Sequence, residues 1–127
     1  ALVEMGELKL RSARYARALQ RAEAALEIFP QAAGKAESVR LVVRVHLAQH
    51  DVLEAHKLLE ERAVAFQRAP RDPKAVAILA LARSEVLALM DRREQALREG
   101  TAALETFRAS SDEAWEAVAG QSVARLL

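Results

Sequence analysis

Three histidines lie close together in this chain, and His46 and His50 are one helical turn apart. Spacing of i,i+4 puts two imidazoles on one helix face, where they can share a zinc ion. His56 follows a tight turn later. A metal site needs further ligands, and the chain has no cysteine and no His-Glu-x-x-His pattern. His46 falls at a core-facing place. His50 falls in a turn, and histidine tolerates left-handed turn geometry better than most residues. Packing and turn formation account for these residues, so no metal and no cofactor is expected.

Catalytic chemistry finds no better foothold. Ser12, Ser38, Ser110 and Ser111 stand where helix caps or helix starts are needed, while Ser84 and Ser122 suit small packing positions. No sequence context marks any of them as an activated nucleophile. Carboxylate pairs such as Glu60-Glu61 and Asp112-Glu113 are ordinary on soluble helices. No glycine-rich phosphate loop occurs. The expectation is a chain that is not an enzyme.

Composition bounds the rest. The 127 residues are 52% hydrophobic but only 4% aromatic, so alanine and leucine must build the core. With 4 glycines and 3 prolines, long helices are favoured over a turn-rich β fold. The 19 basic and 18 acidic residues leave a net charge of +1, with arginines interleaved among glutamates. That balance gives no electrostatic footprint for nucleic acid. The longest apolar stretch, Ala75 to Ala82, is broken by Arg83 and Glu85, too short to span a membrane. No signal peptide is visible, so a cytoplasmic location is expected. The start at Ala1 and the end at Leu126 and Leu127 read as cuts through a longer protein.

The elements follow from apolar spacing and punctuation. A first helix is expected over roughly 1–10 and a second over 13–29, stacking Tyr15, Ala18, Leu19, Ala22, Ala25, Leu26 and Phe29 and stopped by Pro30. A third follows Gly34 and runs to about Gln49. A fourth, opened by an Asp51–Glu54 capping box, carries Val52, Ala55, Leu59, Ala63 and Phe66. Ala69-Pro70-Arg71-Asp72-Pro73 is the clearest boundary, with Asp72 capping and Pro73 in the first turn of a fifth helix that runs to Met90. A sixth is expected behind an Asp91–Glu94 capping box. A seventh, capped by Ser110, Ser111 and Asp112, carries Trp115 and Val118. Short links between long helices force antiparallel neighbours.

One interval recurs. Gly6 and Ala18, Val43 and Ala55, and Ser84 and Ala96 are each separated by twelve positions with a turn between. With Met5-Gly6, Tyr15, Ala18, Ala25 and Pro30, then Val42-Val43, His50-Asp51 and Ala55, then Ala80, Leu87, Asp91, Ala96, Ala103 and Leu104, the chain resembles a tetratricopeptide repeat array over essentially its whole length. Trp115 with Val118-Ala119 opens a partial further repeat. The marker alanines are 37 residues apart (Ala18 to Ala55) and then 41 (Ala55 to Ala96), against about 34 in a standard repeat. The lengthening is similar to bacterial-regulator and kinesin-light-chain-type arrays. Arg83 departs from the family pattern, which has leucine there.

The resemblance implies an all-α fold, an α–α superhelix of antiparallel helix pairs with seven helices and about three and a half repeats. Residues 1–127 would form one domain, with repeats at about 1–30, 35–70 and 73–109 and a partial one at 111–127. It also implies a concave groove that binds a partner helix or peptide. The groove positions carried over are Glu37, Arg40 and Arg44 in the second repeat and Ile78, Leu81, Glu85 and Leu89 in the third. Arg40 and Arg44, spaced i,i+4, could grip a carboxylate, and the apolar three could supply a floor. The competing account pairs Arg40 with Glu37 and buries the leucines. The chain has no asparagine, so the family's clamp for chaperone-tail carboxylates cannot form. Two other roles stay open: a ligand-sensing or regulatory segment of a bacterial signal-transducing ATPase or transcription regulator, and self-association through Leu2, Leu126 and Leu127.

Overall fold

The computed structural model describes residues 14–21, 32–67 and 72–127. All regular structure among them is helical. The elements are α1 (residues 14–21), α2 (Ala32–Ala48), α3 (Val52–Phe66), α4 (Pro73–Leu89), α5 (Arg93–Ala109) and α6 (Glu113–Leu126). The helix expected over 1–10, most of the first repeat, and Leu2 lie outside the described residues.

The valine-rich segment is a helix. Val39, Val42 and Val43 bury at i, i+3 and i+4, the spacing of one helix face. It is already helical at Ala32, earlier than expected, and carries Gly34 within it. The alanines at 32, 33 and 36 supply enough helix propensity to carry one glycine, whose cost is about 1 kcal/mol. In α3 the buried set is Ala55, Leu59 and Ala63, a single stripe. Helix α4 is buried nearly all round, from Ala75 to Leu87, because α2, α3, α5 and α6 all pack on it. The largest fully buried side chains include Phe107, Leu59, Ile78 and Leu81. Each such side chain contributes about 1.5–3 kcal/mol by leaving water.

Helix starts divide into two kinds. Asp72 Oδ1 accepts from the backbone N–H of Lys74 at 3.0 Å and of Ala75 at 3.4 Å, with Pro73 at the first helical position. Asp112 Oδ1 accepts from Trp115 N–H at 3.3 Å. The two expected capping boxes do not form. Asp51 is the N-cap of α3 but its side chain accepts no capping bond. The N-cap of α5 is Arg92, and Asp91 lies one residue before it with φ 62°. The tight link claims Asp91 for its left-handed residue, a conformation that aspartate tolerates, and shifts the helix start onward.

That link occurs three times in one form. His50, Asp91 and Ser111 have φ 61°, 62° and 56°. At each, the N–H of the following residue bonds back over five residues: Asp51 to His46 O, Arg92 to Leu87 O and Asp112 to Phe107 O, all at 2.9 Å. The left-handed residue itself bonds to Leu47 O, Ala88 O or Arg108 O. These two bonds are the Schellman closure, which satisfies the last carbonyls of a helix. The residue that completes the closure is also the N-cap of the next helix. Links of three residues (49–51, 90–92 and 110–112) therefore fold α2 on α3, α4 on α5, and α5 on α6.

The twelve-residue interval has a physical basis. Ser84 Oγ donates to Ala96 O at 2.6 Å across the α4–α5 crossing, and both residues are fully buried. Gly100, one turn along α5, lies so close that a Cβ there would be 3.0 Å from Ser84 Oγ and 3.2 Å from Val123 Cγ2. The equivalent pair in the preceding hairpin, Val43 and Ala55, is also fully buried. The interval marks where two antiparallel helices touch across their link, so both positions must be small or compact.

Candidate functional site

Helices α2, α4 and α6 enclose a cleft of about 520 Å³. Each contributes one stripe of side chains. From α2 come Arg40, Arg44 and Leu47, at i, i+4 and i+7. From α4 come Ser84, Glu85, Ala88 and Leu89. From α6 come Val118, Gln121, Ser122, Arg125 and Leu126. The same side of each helix faces the cleft, because α2 and α6 both pack against α4.

Arg40 sits at the centre. Its Nε and Nη2 donate to Glu85 Oε1 at 3.0 and 2.6 Å. Its guanidinium carbon lies 5.5 Å from the centroid of the Trp115 ring, in range of a cation–π contact. Trp115 in turn stacks on Phe107, with centroids 5.7 Å apart and planes 22° apart. Arg40 is thus held between a carboxylate from α4 and an aromatic face from α6. Its side chain is only 13% exposed, and that of Glu85 is 18% exposed.

Arg44 is held differently. Its Nε is 3.9 Å from Glu85 Oε2, at the margin of an ion pair, and its side chain is 58% exposed. Arg125 is exposed and makes no ion pair with a described residue. A smaller hollow of about 360 Å³ adjoins on the other side of Arg40 and Arg44, lined also by Glu37, Leu41 and Trp115. Exposed apolar side chains gather here too: Leu41, Leu89 and Val118 are among the large hydrophobics left facing water. The surface therefore combines apolar area with cations that one glutamate only partly neutralises.

The expected groove residues divide. Arg40, Arg44, Glu85 and Leu89 come together in the cleft, and Glu37 lines the adjoining hollow. Ile78 and Leu81 are fully buried and belong to the core. Arg40 pairs with Glu85 from the neighbouring hairpin, not with Glu37 on its own helix. The contribution of α6 is one that the sequence alone does not point to. Its signal is the spacing of Val118, Ser122 and Arg125 at i, i+4 and i+7, which marks a face but not what that face meets.

A second cleft of about 660 Å³ lies between α3, α4 and α5. Arg83 spans it, with Nε 3.1 Å from Glu60 Oε1 on α3 and Nη1 3.7 Å from Glu99 Oε2 on α5. Arg83 thus supplies a charged strap between two helices that do not pack directly. His46 and His56 each bury Nδ1 without a hydrogen-bond partner. Among the described residues no group of three or more His, Asp or Glu side chains could hold a metal ion. At the far end of α4, Lys74 Nζ lies 3.0 Å from Asp112 Oδ2. The Lys74 hydrogen bond holds the Asp112 carboxyl below its ordinary value, reinforced by the Trp115 N–H. No helix of the described residues is long and apolar enough to cross a membrane.

Comparison with protein-family models, with curated proteins and with solved structures finds no match for this chain.

Proposed function

We propose that this chain is a tetratricopeptide-repeat-like superhelix that works as a non-enzymatic protein-interaction module in the cytoplasm of a bacterium. The partner is a helix or extended peptide laid along the cleft between α2, α4 and α6. The observation that carries this reading is the cleft itself. Its rim residues Arg44, Leu89 and Arg125 are exposed, so it is open to solvent along one side and suits a segment that enters sideways. Support for the repeat family comes from the recurrent hairpin, the shared link and the small-residue contact twelve positions apart.

A ligand-sensing role is the second reading. It is favoured by the cleft volume, about 520 Å³, which falls in the ordinary range for small-molecule sites.

A random-peptide display selection on the wild-type chain, with counter-selection on Arg44→Glu/Arg125→Glu, distinguishes the two. Enriched peptides should bind in the micromolar range and slow amide exchange in α2, α4 and α6. Failure to enrich any peptide, or enrichment of peptides that protect only other surfaces, overturns the proposal.

A further inference from the structure

The geometry points to a division of labour within the cleft: Arg44 and Arg125 read an acidic side chain of the bound segment, and Glu85 is the internal competitor that sets the strength of that reading. This rests on the peptide-binding reading above and specifies the partner's chemistry as apolar residues flanked by carboxylates.

Arg40 is not free to recognise anything. Its two bonds to Glu85 Oε1, its low exposure and its place over Trp115 all hold it to the scaffold. It acts as a positioning residue, fixing the Glu85 carboxylate at the centre of the cleft. Glu85 then has one oxygen spent on Arg40 and the other aimed at Arg44 from 3.9 Å. A contact at that distance to an exposed cation is weak and readily exchanged. An incoming carboxylate can take Arg44 in its preferred two-pronged geometry while Glu85 keeps Arg40.

The charges facing the site favour an anionic partner. Arg40, Arg44 and Arg125 line the cleft against Glu85 alone, and Glu37 stands in the adjoining hollow. The other acid on the nearby part of α6, Glu116, is held by Arg108 Nε at 3.0 Å. Beside the exposed cations lie Leu47, Leu89 and Val118. An amphipathic segment with acidic residues beside its apolar face matches both features, and a basic one is repelled.

The test uses one leucine-and-alanine amphipathic peptide made in three versions, with glutamate, glutamine or lysine at the same polar positions, and fluorescence anisotropy as the readout. The glutamate version should bind tightest and the lysine version weakest. Glu85→Gln should tighten the glutamate version about two- to fivefold, the range of an exposed ion pair. Arg44→Gln and Arg125→Gln should each weaken it by a similar factor. None of the three changes should move the glutamine version. Thermal melts accompany each variant, and if Glu85→Gln unfolds, the two arginine variants carry the comparison. Equal binding of the glutamate and glutamine versions overturns the acidic preference and leaves the module reading standing. Failure of all three versions to bind overturns both.

Discussion

Arg40 and Glu85 are joined by two hydrogen bonds to a single carboxylate oxygen across 45 residues of sequence. The pair ties the α2–α3 hairpin to the α4–α5 hairpin, and Trp115 closes it from α6. Three helices thus meet at one guanidinium. Both side chains are largely withdrawn from water, so removing one leaves the other's charge without its partner. Arg40→Ala and Glu85→Ala should each cost about 1.5–3 kcal/mol, the range for hydrogen bonds between charged groups. The double variant should cost less than the sum by about 1–2 kcal/mol. Urea unfolding of the four proteins measures this, and strictly additive losses would show the pair to be energetically idle.

Two glycines should answer alanine in opposite directions. Gly120, inside α6, has open space where a Cβ would stand, with nothing within 4 Å, so Gly120→Ala should stabilise by about 0.5–1 kcal/mol through helix propensity alone. Gly100→Ala meets Ser84 Oγ at 3.0 Å, and that oxygen is pinned by its bond to Ala96 O. Overpacking there should outweigh the propensity gain and leave a net loss of about 1 kcal/mol. Removing the hydroxyl with Ser84→Ala should relieve part of the loss in the double variant. Denaturation midpoints at unchanged slope are the measure. Stabilisation by Gly100→Ala would show that the α4–α5 crossing has slack.

The aspartates before α3 and α4 look alike in sequence but differ in work. Asp72→Ala removes an oxygen that accepts two backbone N–H groups and should cost about 1 kcal/mol. Asp51→Ala removes a side chain that makes no capping bond and should cost only about 0.3 kcal/mol, within the scatter of surface changes. Equal losses at the two positions would contradict the capping geometry.

Asp112 gives a pH dependence whose sign is fixed. Its folded-state value lies below the ordinary 3.8, mainly because of the Lys74 hydrogen bond. The stabilisation is therefore complete above the unfolded value and is lost as pH falls through the lower, folded one. Asp112→Asn keeps a capping oxygen but removes the charge. Wild type should be the more stable of the two above about pH 4, and the gap should close in stronger acid. A gap that stays constant from neutral pH to pH 2 would remove Lys74 from the account.

Much of the helical layout is legible from local signals. The expected C-terminal end of the third helix and both ends of the fifth fall within two residues of the observed ones, because apolar period, Pro73 and Asp72 act over a single turn. The tight links are legible as turns, but their residue roles are not. Aspartate suits both an N-cap and a left-handed position, and Asp91 takes the second where the first is expected. At the site, Arg40, Arg44 and Glu85 can be picked out one by one. Their pairing cannot, since Glu37 is near Arg40 in sequence and Glu85 is near it only after α2 packs on α4. Arg125 escapes a reading of the sequence for the same reason, because α6 reaches the cleft only through its packing on α4.

The three matching links have a consequence for how such a chain can change length. A residue that ends one helix's closure and begins the next helix leaves no spare backbone in which to absorb an insertion. One residue added to α2 between Arg44 and the link would rotate the upstream half of that helix by about 100° relative to α3. Arg40 and Arg44 would then point away from Glu85, however well the helix itself survived. The hairpins behave as gear couplings in which helix length sets phase. The join between Gln67 and Asp72 is of another kind at its described ends: Gln67 keeps right-handed helical dihedrals, and α4 opens on a separate cap, Asp72. Growth or loss of residues there changes the spacing of hairpins and leaves the phase within each one intact.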